Sequence, residues 1–212
     1  MDSKAMYKLS YGLFVLTAAE GDKDNGCIIN TFAQVASEPN LLSISVNKAN
    51  YTNGMIARTG IFNASVISEA ADFELFKHFG FQSGRDVNKF ADFSEYERAA
   101  NGVVYVKKGT NAFFSCKVRH SIDLGSHTLF IADVTDMEVL SKDDSATYAY
   151  YHANIKPKPK AAPPVEEASA TKTIWRCTIC GYEYEGEELP ADFICPWCKH
   201  PASDFEKVVV PV

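Results

Sequence analysis

No stretch of the 212 residues approaches the roughly 20 consecutive apolar side chains that span a bilayer, so no membrane partner is expected. There is no basic excess either. Lys and Arg number 21 against 27 Asp and Glu, a net charge of −6, which argues against nucleic acid as a partner. No Gly-x-Gly-x-x-Gly follows an apolar run, so a nucleotide would not be held here by the dinucleotide fingerprint. Cysteine is sparse through most of the chain. Only Cys27 and Cys116 precede residue 177, and both read as small apolar side chains packed on strands. Lys4 and Lys8 ahead of Tyr-Gly-Leu-Phe-Val-Leu-Thr-Ala-Ala imitate a short signal peptide, but cleavage after Ala19 would remove a strand.

What the chain does have is concentrated near its end. Cys177-Thr-Ile-Cys180 and Cys195-Pro-Trp-Cys198 form two Cys-x-x-Cys pairs separated by 14 residues. Each pair can turn both sulfurs to one ion, and two facing turns place four thiolates at the corners of a tetrahedron, which selects zinc or iron. Gly181 follows the first pair, where a tight turn favours positive φ. The segment of about 40 residues is too short for a stable core of its own, so the metal must supply much of its folding free energy. Trp175, Tyr182, Tyr184, Phe193, Trp197 and Phe205 surround the cysteines, a dry shell of the kind that tunes a redox metal. Four thiolate ligands suit a reducing compartment, so the expected location is cytoplasmic.

Charge and proline divide the rest. Residues 1–154 carry 14 basic and 18 acidic groups, residues 155–172 carry 4 and 2, and residues 173–212 carry 3 and 7. The middle segment has four prolines and little apolar bulk and reads as a tether, stiff where Lys and Pro alternate. Residues 1–154 are expected to be mainly β. Strands are expected over 9–19, 27–35, 41–47, 61–67, 103–106, 111–123 and 127–140, with a turn over 20–26. Short helices are expected over 50–58, capped by Asn50 and stopped by Gly60, and over 68–80, capped by Ser68, with loop and helical turns over 81–102. Many strands without βαβ alternation indicate an antiparallel barrel. Its chemistry is quiet. Lys48, Asn50, Tyr51 and Thr52 at a helix entrance read either as a phosphate seat or as an ordinary cap, and His127 reads as a surface histidine or a functional one.

Two resemblances narrow these alternatives. Cys-Thr-Ile-Cys-Gly-Tyr, Leu-Pro-Ala-Asp-Phe-Ile-Cys-Pro-Trp-Cys and Ser-Asp-Phe-Glu, over roughly 173–209, resemble rubredoxin, which implies one iron at Cys177, Cys180, Cys195 and Cys198. The loop between the pairs is shorter than in free-standing rubredoxins and closer to that of rubrerythrins, and Lys199 stands where glycine is usual. Over 1–154, Val-Leu-Thr (15–17), Asn30-Thr31-Phe-Ala-Gln34, Ser45-Val46-Asn47-Lys48-Ala-Asn-Tyr51-Thr52 and Gly125-Ser-His127 resemble the flavin reductase family, an FMN-binding split barrel. The resemblance implies that Asn30, Thr31, Gln34 and Ser45 to Lys48 line the flavin, with Thr52 at its phosphate, Tyr51 a further cofactor-binding residue and His127 where nicotinamide approaches. Arg85 or Lys89 would add a cationic contact. Ser126 replaces the usual aspartate of that turn.

Together the halves resemble the high-molecular-weight rubredoxins, which implies a homodimeric oxidoreductase. Electrons would run from NAD(P)H through FMN to iron and on to a flavodiiron protein that reduces oxygen or nitric oxide. A flavin reductase with a structural zinc ribbon, or an FMN and iron carrier reduced by a protein donor, would also fit the motifs.

Overall fold

The run that imitates a signal peptide is a central strand, β1 (Phe14–Glu20), in the computed structural model. Its alternation sends Phe14, Leu16 and Ala18 into one apolar cluster and Val15, with Leu13 beside it, into another. A strand buried on both faces has to read as a continuous apolar run. The structure describes residues 3–157, 171–178, 181–196 and 201–211. The chain divides into two compact units, Met1–Lys156 and Pro157–Val212. Most of the expected tether, together with Cys180, Trp197 and Cys198, lies outside the described residues.

In the first unit β1 turns through Gly21 and Asp22 into β2 (Lys23–Ile29), with Glu20 opposite Lys23. Then come β3 (Phe32–Ser37), β4 (Asn40–Asn47), helix α1 (Tyr51–Thr59) and β5 (Ile61–Ile67). Helix α2 (Phe73–Gly80) and the strands β6 (Tyr96–Arg98), β7 (Val104–Val106), β8 (Thr110–Asp123) and β9 (His127–Val139) complete it. Seven strands form one antiparallel sheet in the order β2-β1-β5-β8-β9-β4-β3. Six of them, with Met55 and Ile56 of α1, feed one interior that includes Ile44, Phe62 and Phe130. This is the expected split barrel. Outside it, α2 and the β6–β7 hairpin cover the other face through Leu75, Phe79, Val104 and Val106. The hairpin is held by side chains that replace a ladder. Thr17 Oγ1 donates to Val104 O (2.5 Å), Asn63 Nδ2 to Val103 O (2.8 Å), and Ser65 Oγ accepts from Val106 N (2.9 Å).

Several local expectations shift. The turn expected over 20–26 shrinks to two residues, because Gly26 lies in a strand under Phe79, where a Cβ would approach that ring to 3.0 Å. The strand expected over 27–35 breaks between Ile29 and Phe32. The expected cap of α2, Ser68, stays in extended chain, its N–H donating to Gly109 O (2.9 Å). Asp72 caps instead, accepting from Leu75 N at 3.0 Å. The region expected to be loop contains β6. Helix α1 has the expected cap, Asn50 accepting from Thr52 N, and ends at Gly60 with φ 70°.

The second unit is a small antiparallel sheet in the order β11-β10-β12, made of β10 (Thr171–Cys177), β11 (Glu183–Glu185) and β12 (Phe205–Pro211). Phe193 packs against Tyr184 and Phe205, at 4.8 and 5.4 Å between ring centroids. Among the described residues no helix is long and apolar enough to cross a membrane.

Candidate functional site

In the first unit most of the singled-out polar residues gather where β4 ends, α1 begins and the β8–β9 turn comes across. At the break between β2 and β3, Thr31 Oγ1 donates to Ser45 O (2.6 Å) and accepts from Ser45 N (3.3 Å), tying the corner to β4. Val46 is buried, and its carbonyl accepts from Asn53 Nδ2 at 2.9 Å. The exposed Asn47 accepts from Ala49 N (2.8 Å) and faces His127 across the β4–β9 pair. Asn30 sits half-buried at the corner, while the exposed Gln34 reaches away along the edge to Asn40 Oδ1 (3.0 Å).

At the helix entrance the residues expected to take a phosphate have other partners. Thr52 is fully buried, and its hydroxyl accepts from Asn25 Nδ2 at 2.8 Å, leaving it no exposed surface. Lys48 reaches across to Asp123 (2.6 Å), and that ammonium, with the Gly125 N–H, holds the Asp123 carboxyl below the usual range. Lys89 is a structural residue. It is buried and donates to Gly26 O and Phe79 O, both at 2.8 Å, and burial pushes its ammonium down to about 8. Beside it burial pushes the Cys27 thiol up, against the opposing effects of Thr52 and Lys89. Arg85 does stand at the helix entrance, donating to Ala49 O (2.7 Å) and lying 5.7 Å from the Tyr51 ring centroid. Lys23 Nζ lies 4.4 Å from the same centroid. Lys23 was hidden from sequence reasoning inside the expected turn. Gly84 lets Arg85's loop approach, since a Cβ there would fall 2.1 Å from Asn25 Oδ1. Two cations beside the N-terminus of a nine-residue helix are a donor set that fits a phosphate.

In the second unit Cys177 and Cys195 are buried, at 1% and 0% exposure. Gly181, at φ 79°, donates to Cys177 O (2.9 Å), and Cys177 N donates to Tyr182 O (2.8 Å). Thr178 N and its hydroxyl both donate to Asp204 O, at 2.8 and 2.9 Å, tying the turn before β12 to the end of β10. Two buried thiols in a unit whose described aromatic rings pack on one another fit a thiophilic metal.

Residues 6–158 match the flavin reductase like domain family, and residues 175–206 match the rubrerythrin, rubredoxin-like domain family. The chain belongs to the flavin reductase family. Its similarity to the high molecular weight rubredoxin of Moorella thermoacetica is 34% identity over 230 residues, covering 98% of this chain and all of the relative. It therefore belongs, more narrowly, with the high-molecular-weight rubredoxins, and it is an oxidoreductase. A ferric-chelate reductase (NAD(P)H) of Archaeoglobus fulgidus is 36% identical over 158 residues, covering 74% of this chain and 93% of the relative. Among solved structures, an NADH:FAD oxidoreductase of Streptomyces globisporus shares the fold at a TM-score of 0.62 and 21% identity, over 68% of this chain and 84% of that one. The rubrerythrin type of the small unit agrees with the short loop between its cysteine pairs.

Proposed function

We propose that this flavin reductase passes electrons from NAD(P)H through FMN to a rubredoxin-type iron and on to a flavodiiron protein that reduces oxygen or nitric oxide. The observation that carries the reading is one chain with a cation-flanked helix entrance in its barrel and a buried cysteine knuckle in its small unit. When bound, FMN takes a hydride from a nicotinamide and gives up electrons singly, and a one-iron site carries them one at a time. Residues 1–154 form the flavin unit, 155–172 the tether and 173–212 the carrier.

Asn30, Thr31 and the strand end Ser45, Val46 and Asn47 line the flavin, with the Thr31–Ser45 bonds keeping that wall in place, while Gln34 lies on the edge strand beyond it. The N-terminus of α1, Tyr51 and the cations Arg85 and Lys23 take the phosphate by charge-assisted hydrogen bonds. Thr52 supports this seat from below through Asn25, and His127 orients the nicotinamide. Cys177, Cys180, Cys195 and Cys198 hold the iron. The tether raises the carrier's effective concentration to on the order of millimolar, so internal transfer need not wait for diffusion. The exposed apolar Met137 and Val139 at the base of the β8–β9 hairpin support a homodimer, and four reduced thiolates support a cytoplasmic location.

Rapid mixing of the full chain, expressed with ample iron, with NADH and with NADPH tests this. Flavin absorbance should bleach first and ferric absorbance second. A chain that holds only zinc, or a flavin that neither nicotinamide reduces, would sink the proposal.

A further inference from the structure

The β8–β9 turn is gripped by a set of contacts centred on Lys48 and Asp123. Asp123 Oδ1 accepts from the Gly125 amide (2.7 Å) and from Lys48 Nζ (2.6 Å). Lys48 also donates its backbone N–H to Ser126 O at 3.0 Å. Leu124 N closes the turn onto His127 O (2.9 Å), and Ser126 Oγ lies 2.9 Å from His127 Nδ1. Gly125, at φ 80°, makes the left-handed step. One residue at the end of β4 thus holds the turn at two points, through its backbone and through its side chain. It directly follows Asn47, whose cross-strand partner is His127.

We propose that Lys48 and Asp123 are positioning residues: their pair clamps the β8–β9 turn to the end of β4 and so sets where the His127 imidazole meets the nicotinamide. This rests on the role given to His127 above. The two side chains are 40% and 71% exposed, and an ion pair that open adds little to global stability. Its weight falls on a local equilibrium, the fraying of an exposed hairpin tip, which opens far more cheaply than the barrel. A frayed tip leaves the barrel folded and the imidazole unplaced, so the fraction of chains competent to take nicotinamide falls and the apparent affinity falls with it. An ammonium already engaged by a carboxylate also brings little net charge to a phosphate, so flavin affinity should not depend on it.

A double-mutant cycle on the full chain decides the matter, using Lys48→Met, Asp123→Asn, the double variant and the conservative Lys48→Arg. Three quantities are measured: amide exchange of Leu124 and Gly125 in the flavin-free chain, FMN affinity by fluorescence titration, and KM and kcat for NAD(P)H. Each single variant should speed amide exchange about 10-fold and raise KM about 5-fold, leaving kcat and FMN affinity within about 2-fold. The double variant should be no worse than either single one, because both remove the same contact, and Lys48→Arg should behave as the wild type. Independent, multiplying effects on KM would overturn the proposal. So would a loss of FMN affinity in Lys48→Met with turn exchange unchanged, which would make Lys48 a cofactor ligand. Normal clamp behaviour in amide exchange without any NAD(P)H oxidation by the wild type would overturn the functional reading, and the positioning role with it.

Discussion

In the barrel, Ile44, Phe62 and Phe130 are fully buried at a junction of strands, and none of them belongs to the candidate site. In the small unit the buried side chains among the described residues are Ile174, Cys177, Cys195 and Phe205, and two of these four are metal-ligand candidates. Fully burying an aliphatic or aromatic side chain contributes about 1.5–3 kcal/mol, so the barrel's many such residues sustain it without a cofactor. Four buried side chains cannot do that for the small unit. The barrel can therefore leave its polar site residues half exposed and place them by hydrogen bonds, whereas in the small unit half of the described core belongs to the candidate site.

The sharpest way to break this contrast is Cys195→Ser. With one ligand gone, metal binding and folding should fail together in the small unit. Amide protection along β10 and β12 should vanish, the barrel's thermal transition should stay where it is, and flavin should still be reduced while the onward outlet is lost. Exchange measurements that found β10–β12 protected in a metal-free variant would show that the unit has a sufficient core after all.

A smaller effect concerns the barrel's one described buried lysine. Lys89 titrates at about 8 in the folded chain, because burial disfavours its charge, and near 10.4 when unfolded. Between those values the unfolded chain binds more protons, so stability should rise as pH increases from about 8 to about 10.4, by up to about 3 kcal/mol. Below about 8 this group should add no slope. Denaturant melts of the barrel transition at pH 8 and 10 check it against Lys89→Met, in which the rise should be missing. An identical rise in the variant would assign it to other groups.

The smallest effect is at Thr52. Removing its hydroxyl leaves Asn25 Nδ2 buried without its acceptor, next to an Oδ1 that already lacks a partner among the described residues. Thr52→Ala should cost the barrel about 1–3 kcal/mol and leave the small unit untouched. A loss of FMN affinity with no loss of stability would show that Thr52 meets the phosphate directly.

Much of this was legible before any coordinates. The alternation in β4 and β5, the Asn50 cap and Gly60 stop of α1, and the spacing of the cysteine pairs are local signals. Each follows from a period, a cap or a turn that a few neighbouring residues specify. They sufficed for a mainly β barrel followed by a metal knuckle.

The placement of individual polar side chains was decided by tertiary structure. Lys48 pairs with Asp123, 75 residues away, and Asn25 turns Thr52 inward across a separation of 27. Lys23 and Arg85 both reach the Tyr51 ring only because β2, α1 and the loop after α2 converge there. Lys89 looks like a surface cation in sequence and is buried because two backbone carbonyls, Gly26 O and Phe79 O, point at it. Even the cap of α2 moved from Ser68 to Asp72 because distant partners, Gly109 O and Asp144 O, take the Ser68 and Glu69 N–H groups and the chain turns before the helix begins. Local patterns specify elements because their energetics lie within a turn or a strand. The partner of a charged or hydroxyl side chain is chosen by whichever distant backbone the fold brings near, and that choice leaves no periodic trace in the sequence.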